Sequence, residues 1–221
     1  MRTTLFLLVL LGLPVAAASA PPPKDIPAVL LIAKGDMVDP YFRQAVVLVT
    51  HRAGSTPMGV IINKATKVPL AEAVPRLENR PAPERRVFFG GPVPADELIV
   101  LFRSAKAPEG SIQALDGVVI SSDQDVLRAA VNRERAVDVR VLLGYASWAP
   151  GQLEAEVARG DWQLLPADAA TIFDSNPETM WRDLQQQLAP KNAAAPGQPS
   201  ATRPLRVAKQ RAFAVATKSR T

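Results

Sequence analysis

Short apolar runs separated by turn residues recur through this chain, and they constrain its fold more than any other feature. The runs are too short for helices and rich in β-branched side chains, which is typical of buried strands. We predict strands at 28–33, 45–50, 59–63, 87–89, 97–102, 118–121, 137–143 and 162–165. Helical patterns lie between only some of them, at 70–77, 123–133, 152–159 and 178–188. Because strict alternation of strand and helix is absent, the sequence predicts an α+β fold with a mixed, mostly antiparallel β-sheet and peripheral helices.

Residues 1–20 have the pattern of a secretory signal peptide. Arg2 gives a positive start, Leu5–Leu13 is a short apolar run, and Ala18–Ala20 fits the small-x-small rule for signal peptidase. The apolar run is shorter than a helix needs to cross about 30 Å of hydrocarbon. We therefore predict a signal peptide and a mature protein that is periplasmic or secreted. Retention of the segment as an uncleaved anchor is the alternative.

A basic C-terminal tail, residues 189–221, differs in composition from the rest of the chain. Its charged residues are Lys191, Arg203, Arg206, Lys209, Arg211, Lys218 and Arg220, and it contains no acid. Removing these seven charges and that of Arg2 from the formal net charge of +5 leaves −3 for residues 21–188, the predicted folded domain. A tail with few large apolar groups cannot offset the entropy of ordering. We expect it to be disordered and to make only weak contacts with polyanions.

Residue types that are missing or rare exclude several kinds of chemistry. The chain has no cysteine and a single histidine, His51, which excludes disulfide frameworks, thiolate zinc sites and multi-histidine metal sites. We predict no metal site and no cofactor. As a general base, His51 would need a carboxylate and a nucleophile, and no Gly-x-Ser-x-Gly elbow supplies a serine, so no catalytic residue is assigned. The acidic body and the lack of a helix-turn-helix or zinc finger predict no sequence-specific binding to nucleic acid.

Residues 143–154 carry the most informative group of side chains. With two residues from elsewhere, they give the candidate ligand- or partner-binding residues His51, Asn63, Tyr145, Trp148, Gln152 and Glu154. In one interpretation, Trp148 fills the core while the polar side chains satisfy buried loop amides. In the other, the aromatic pair forms the wall of a ligand cleft together with His51 and Asn63. We favour the first, because glycine loops that define a fold often resemble sites.

Four segments taken together are more specific than any one of them. They are residues 31–33 with 37–42, residues 51–54 with 58–63, residues 90–93, and residues 143–154 with Trp162. On these segments the chain resembles the YqgE/AlgH family over about residues 28–188. The resemblance implies a mixed β-sheet bent into a pseudo-barrel with helices packed around it, and it implies no reaction. Members of this family are often labelled transcriptional regulators.

The chain also departs from the family pattern at several positions. Lys34–Asp36 replaces a Pro-Gly pair, and Ser147 and Ala149 replace two glycines beside the tryptophan. Most members lack an export signal, which makes a cytoplasmic location the alternative to export. We therefore hypothesise a non-enzymatic, exported protein of uncharacterised role that binds an unknown protein or small-molecule ligand. The alternatives are a transcriptional regulator, which requires cytoplasmic residence, and a hydrolase that uses His51.

Overall fold

A computed structural model describes residues 28–50, 56–74, 84–94, 98–132 and 138–189 of the chain. Three features singled out from the sequence lie outside these residues: the signal peptide, His51, and the basic tail from residue 190 onward. Within the described part, no helix is long and apolar enough to cross a membrane.

Eleven strands and five helices make up the described part of the fold. They are β1 (Val29–Ala33), β2 (Val46–Thr50), β3 (Met58–Ile61), β4 (Ala65–Pro69), α1 (Leu70–Ala73), β5 (Arg86–Phe89), β6 (Ile99–Arg103), β7 (Ile112–Leu115), β8 (Val118–Ser121), α2 (Gln124–Val131), β9 (Val139–Leu143), β10 (Ala146–Ser147), α3 (Gln152–Ala158), β11 (Trp162–Pro166), α4 (Ala169–Asp174) and α5 (Pro177–Leu188). The predicted α+β class is confirmed.

The strands form two sheets. The first has the order β10-β3-β2-β1-β11 and is antiparallel throughout, whereas the second has the order β4-β5-β9-β6-β8-β7. In the second sheet β5 and β9 run parallel, and the other pairs are antiparallel, so the mixed, mostly antiparallel prediction holds. The resemblance implied one sheet bent into a pseudo-barrel. The structure instead has two curved sheets that do not close into a barrel within the described residues.

The two sheets are joined at a corner where three chain segments meet. One segment leads from β3 into β4, the second leads from β9 into β10, and the end of β5 lies between them. The Ile61 N–H donates to the Gly90 carbonyl (2.7 Å), and the Gly90 N–H donates to the Leu143 carbonyl (2.7 Å). We call this junction, built on Gly90, Gly91 and Gly144, the glycine corner. A Cβ atom on Gly90 would lie 2.2 Å from the Gly144 carbonyl oxygen, so the segments approach backbone to backbone.

Apolar side chains cover both faces of both sheets. The inner faces pack against each other and against α4 and α5, as in the contacts of Leu48, Leu101 and Phe173. The outer face of the second sheet packs against α1 and α2, and the outer face of the first sheet packs against α3. Alternation along each strand explains this arrangement, since neighbouring residues such as Leu30 and Leu31 belong to different layers. The central strands of both sheets are therefore buried, whereas polar residues are exposed on edge strands such as β4.

Candidate functional site

A cluster of aromatic and polar side chains, which includes Trp148 and Gln152 of the predicted site, lies on the outer face of the first sheet. We call it the tryptophan cluster: Phe42, Trp148, Gln152, Glu156 and Trp162. The indole rings of Trp148 and Trp162 meet edge to face, with centroids 6.4 Å apart. Both indole N–H groups donate to Glu156 Oε2, at 2.9 Å and 2.8 Å. A single carboxylate on α3 therefore holds two buried aromatic side chains that come from different parts of the chain.

The position of Gln152 follows from the geometry of α3. Gln152 and Glu156 are four residues apart and lie on the same face of the helix. The Gln152 side-chain amide donates to Glu156 Oε1 (2.9 Å), while its oxygen accepts from the Ala149 N–H (3.0 Å). Every contact of the Glu156 carboxylate is thus made with a donor of the protein itself. This arrangement stabilises the fold, although Trp148 lies in the outer layer and not between the sheets.

A cavity of about 240 Å³ adjoins the tryptophan cluster. Its lining includes Asp161 and Arg159, whose side chains pair at 2.8 Å, and the other oxygen of Asp161 lies 3.0 Å from Lys34 Nζ. The Lys34 ammonium, assisted by Arg159, lowers the pKa of Asp161 below its ordinary value. The charges here are paired with each other.

The remaining predicted site residues do not join the tryptophan cluster. Tyr145 packs into the layer between the sheets, whereas Trp148 belongs to the outer layer. Glu154 is exposed on α3. Asn63 accepts from the Val46 N–H (2.8 Å) and donates to the Gln44 carbonyl (2.9 Å), which fixes a bend where Gln44 has a φ of 56°. Of the described candidates, the structure brings together only Trp148 and Gln152.

A second cavity, which the sequence did not indicate, opens within the second sheet. It has a volume of about 520 Å³. The parallel strands β5 and β9 pair at Phe88 with Leu142 and at Phe89 with Leu143. Before these pairs the two strands diverge, at Arg86–Val87 of β5 and Val139–Val141 of β9, and they form a fork. We call the space at this fork the arginine cavity; its lining includes Arg85, Arg86, Phe88, Arg140, Val141 and Phe173. Strand divergence therefore creates the opening, and the α4–α5 connection borders it.

Arg140 gives the arginine cavity its chemical character. This residue is only 5% exposed, although it carries a full charge. Its Nη1 donates to the Ile62 carbonyl (2.5 Å), and its guanidinium lies over the Phe88 ring at 5.4 Å. Within the described part of the chain, no carboxylate forms an ion pair with it. Burial lowers the pKa of Arg140 to about 10, because desolvation disfavours the charged form.

The other charged groups at the arginine cavity do not balance Arg140. Arg85 is half-buried; burial lowers its pKa, and its Nη1 donates to the Val131 carbonyl (3.2 Å). Of the three acids in the lining, Asp174 bonds to Arg103 at 2.7 Å, and Glu84 and Glu178 are exposed. Three arginines line the cavity, and among them Arg140 and Arg85 donate to backbone carbonyl oxygens. A lone arginine within the apolar run of β9 was the only sequence signal of this site.

Metal binding finds no support in the side chains that the structure describes. Among those residues, no group of three or more His, Asp or Glu side chains converges in a way that could hold an ion. The lining of the arginine cavity combines three arginines, Arg85, Arg86 and Arg140, with three acids, Glu84, Asp174 and Glu178.

Comparison with known proteins gives a consistent result. A family model described as DUF179, AlgH-like, matches residues 30–193. A UPF0301 protein of Thioalkalivibrio sulfidiphilus is 35% identical over 161 residues, which cover 72% of this chain and 87% of that protein. A UPF0301 protein of Mannheimia succiniciproducens is 33% identical over 174 residues, covering 75% of this chain and 94% of that protein.

Two solved structures share the fold. The solution structure of the AlgH protein from Pseudomonas aeruginosa aligns with a TM-score of 0.60 at 29% identity, covering 83% of this chain and all of that one. The crystal structure of protein DIP2367 from Corynebacterium diphtheriae aligns with a TM-score of 0.61 at 20% identity, covering 76% of this chain and 90% of that one. The second similarity concerns the fold alone.

Proposed function

Since the chain belongs to the AlgH-like family, we propose that it is an exported binding protein, not an enzyme, and that the arginine cavity holds a small ligand. One observation carries this proposal. The buried Arg140 guanidinium lines an open cavity without a carboxylate partner among the described residues. A buried charge without a partner costs several kcal/mol of stability, and a bound ligand that pairs with it removes this cost.

The chemistry of Arg140 favours binding over catalysis. A guanidinium remains protonated at neutral pH, so it donates hydrogen bonds but does not exchange protons with a substrate. The ring of Phe88 and the Ile62 carbonyl hold its plane in a fixed orientation. Such a rigid donor at the wall of a cavity orients a bound molecule without needing to change it.

We expect the Ala65→Trp variant to lose ligand binding, because Ala65 is exposed on β4 and lines the arginine cavity. An indole at this position covers the opening without displacing a core side chain. The full-length gene product is incubated with a small-molecule extract of envelope material and analysed by native mass spectrometry. The expected result is an added mass on the wild-type protein that is at least tenfold less abundant on the variant.

The matched control is Ala155→Trp, which places the same side chain at an exposed position of α3 that does not line this cavity. This variant should retain the added mass in full. Circular dichroism and thermal unfolding establish that both variants are folded. A wild-type protein without any added mass, or an Ala65→Trp protein that keeps it, contradicts the proposed binding role.

Export is the second part of the proposal and has its own test. The pattern of residues 1–20 supports cleavage after Ala20. The intact mass of the protein from fractionated cells should therefore correspond to a chain that begins at Pro21, and the protein should be recovered with the periplasm or the medium. A chain of full length in the cytoplasm would contradict export and favour a cytoplasmic role such as transcriptional regulation.

A further inference from the structure

We infer that the ligand of the arginine cavity is a small organic oxyanion, a carboxylate or a phosphate ester, whose acidic group pairs with Arg140 and whose apolar part lies against Phe88 and Phe173. This inference rests on the proposed function and names the chemical class of its ligand. It follows from the buried charge of Arg140, the geometry of its guanidinium and the apolar walls of the cavity.

The charge of the site requires an anion. Arg103, which is more exposed than Arg140, contacts two carboxylates, those of Asp138 (2.8 Å) and Asp174 (2.7 Å). Arg140 is more deeply buried, yet the only acceptor that the structure gives it in the described part is the Ile62 carbonyl. Buried charges in proteins are usually paired, and a bound anion would give Arg140 the carboxylate or phosphate partner that it lacks among the described residues.

The geometry of the guanidinium selects an oxyanion. An arginine has five N–H donors in one plane, and the bond to Ile62 uses one of them. Carboxylate and phosphate oxygens match the spacing of the remaining donors and form two parallel hydrogen bonds with them. A halide is a single acceptor atom and a neutral amide has a single acceptor oxygen, so neither offers two oxygens to two parallel N–H donors.

The walls of the arginine cavity limit the rest of the ligand. Phe88 and Phe173 line the cavity on the same side of the sheet as Arg140. At the cavity lining, the acids Glu84 and Glu178 oppose the approach of a highly charged molecule. The site therefore suits a compact molecule with one acidic group and an apolar body, and it disfavours polyanions such as nucleic acid.

The test compares three probes of one shape by isothermal titration calorimetry with the full-length protein. They are 2-naphthoate, 2-naphthyl phosphate and the neutral 2-naphthamide. We expect at least one of the two anions to bind ten times more tightly than the amide, and the tighter of the two identifies the acidic group. Equal affinity for all three, or no binding of either anion at millimolar concentration, would overturn the inference.

Three variants assign the effect to Arg140. Arg140→Met should weaken binding of the preferred anion at least tenfold and leave the amide unchanged. The control Arg128→Met removes an exposed arginine of α2 that does not line the cavity, and it should bind like the wild type. Arg140→Lys keeps the charge but lacks the planar guanidinium, so it should bind the preferred anion several-fold more weakly than the wild type. If Arg140→Met does not fold, the affinity of Arg140→Lys for that anion tests the role of Arg140 in its place.

These outcomes are separate from those that test the proposed function. If the extract yields a ligand that Ala65→Trp excludes, but that ligand is neutral or binds Arg140→Met as tightly as the wild type, the binding role stands and the oxyanion inference fails. If the wild-type protein takes up nothing from the extract, the binding role itself fails.

Discussion

We expect the Gly91→Ala variant to lose its cooperative fold, because the added methyl group has no space at the glycine corner. A Cβ atom at this position would lie 2.2 Å from the carbonyl carbon of Tyr145, 2.3 Å from its oxygen and 2.5 Å from the Ala146 nitrogen. These are backbone atoms of the segment that leads from β9 into β10, so no side chain can rotate away. Separation of the segments would break the paired hydrogen bonds between Val93 and Tyr145.

The expected loss is about 4 kcal/mol or more in the free energy of unfolding, a large part of the roughly 5–15 kcal/mol that a domain has in total. Urea unfolding followed by circular dichroism measures it, and loss of soluble protein is the extreme result. The control is Gly35→Ala, where an added Cβ atom meets nothing within 4 Å. That variant should differ from the wild type by less than about 0.5 kcal/mol. Equal stability of the two variants would show that the glycine corner can relax.

The second large effect is expected at Glu156. Replacing this residue with alanine removes the acceptor of both indole N–H groups in the tryptophan cluster, and Trp148 and Trp162 are each only 4% exposed. An unsatisfied buried donor costs about 1–3 kcal/mol, so two of them predict a loss of about 2–6 kcal/mol. Chemical unfolding monitored by tryptophan fluorescence should show a lower midpoint and an altered native emission spectrum.

Two further variants separate hydrogen bonding from general effects on α3. Glu154→Ala removes an exposed carboxylate from the same helix and should change stability by less than about 0.5 kcal/mol. Glu156→Gln retains an amide oxygen that can accept from both indoles, so it should recover most of the loss. If Glu156→Ala were as stable as Glu154→Ala, the carboxylate would not be what holds the tryptophan cluster together.

The strands that form the interior were predictable from their side chains, as was the edge strand β11, whereas the edge strands β4, β7 and β10 were not. The apolar run at 45–50 corresponds to β2, because a fully buried strand needs apolar residues on both faces. The strand β4, Ala65–Pro69, is mostly exposed and contains Lys67, so its sequence resembles a loop. It belongs to the sheet because its backbone pairs with β5. Backbone pairing does not require particular side chains, so it cannot be recognised from the composition of an edge strand.

The predicted site grouped residues that are close in sequence but belong to different layers. Tyr145 and Trp148 flank the short strand β10, and the alternation of side chains there directs them into separate clusters. Glu156 was not predicted, because in the sequence it is one of several charged residues on a short amphipathic helix. Its role depends on Trp162, which reaches it only after the chain has turned at Gly160 and formed β11.

Arg140 could have been recognised only with knowledge of the tertiary structure. In the sequence it alternates with valines, a pattern that predicts a strand with one face toward solvent. The alternation is real, but both faces of the second sheet are covered, so the arginine is buried where a solvated residue would be expected. A single sequence does not reveal whether a second layer covers the polar face of a strand.

The glycine corner also determines what can vary around it. Because main chain touches main chain there, the angle between the two sheets is set by peptide geometry and is independent of the volumes of the packed side chains. Residues between the layers can therefore be exchanged in compensating pairs, large for small, without reorienting either sheet. The arrangement of the two sheets is thus separated from the packing of the interior. A pocket in this protein can therefore be reshaped for another ligand while the sheets keep their positions.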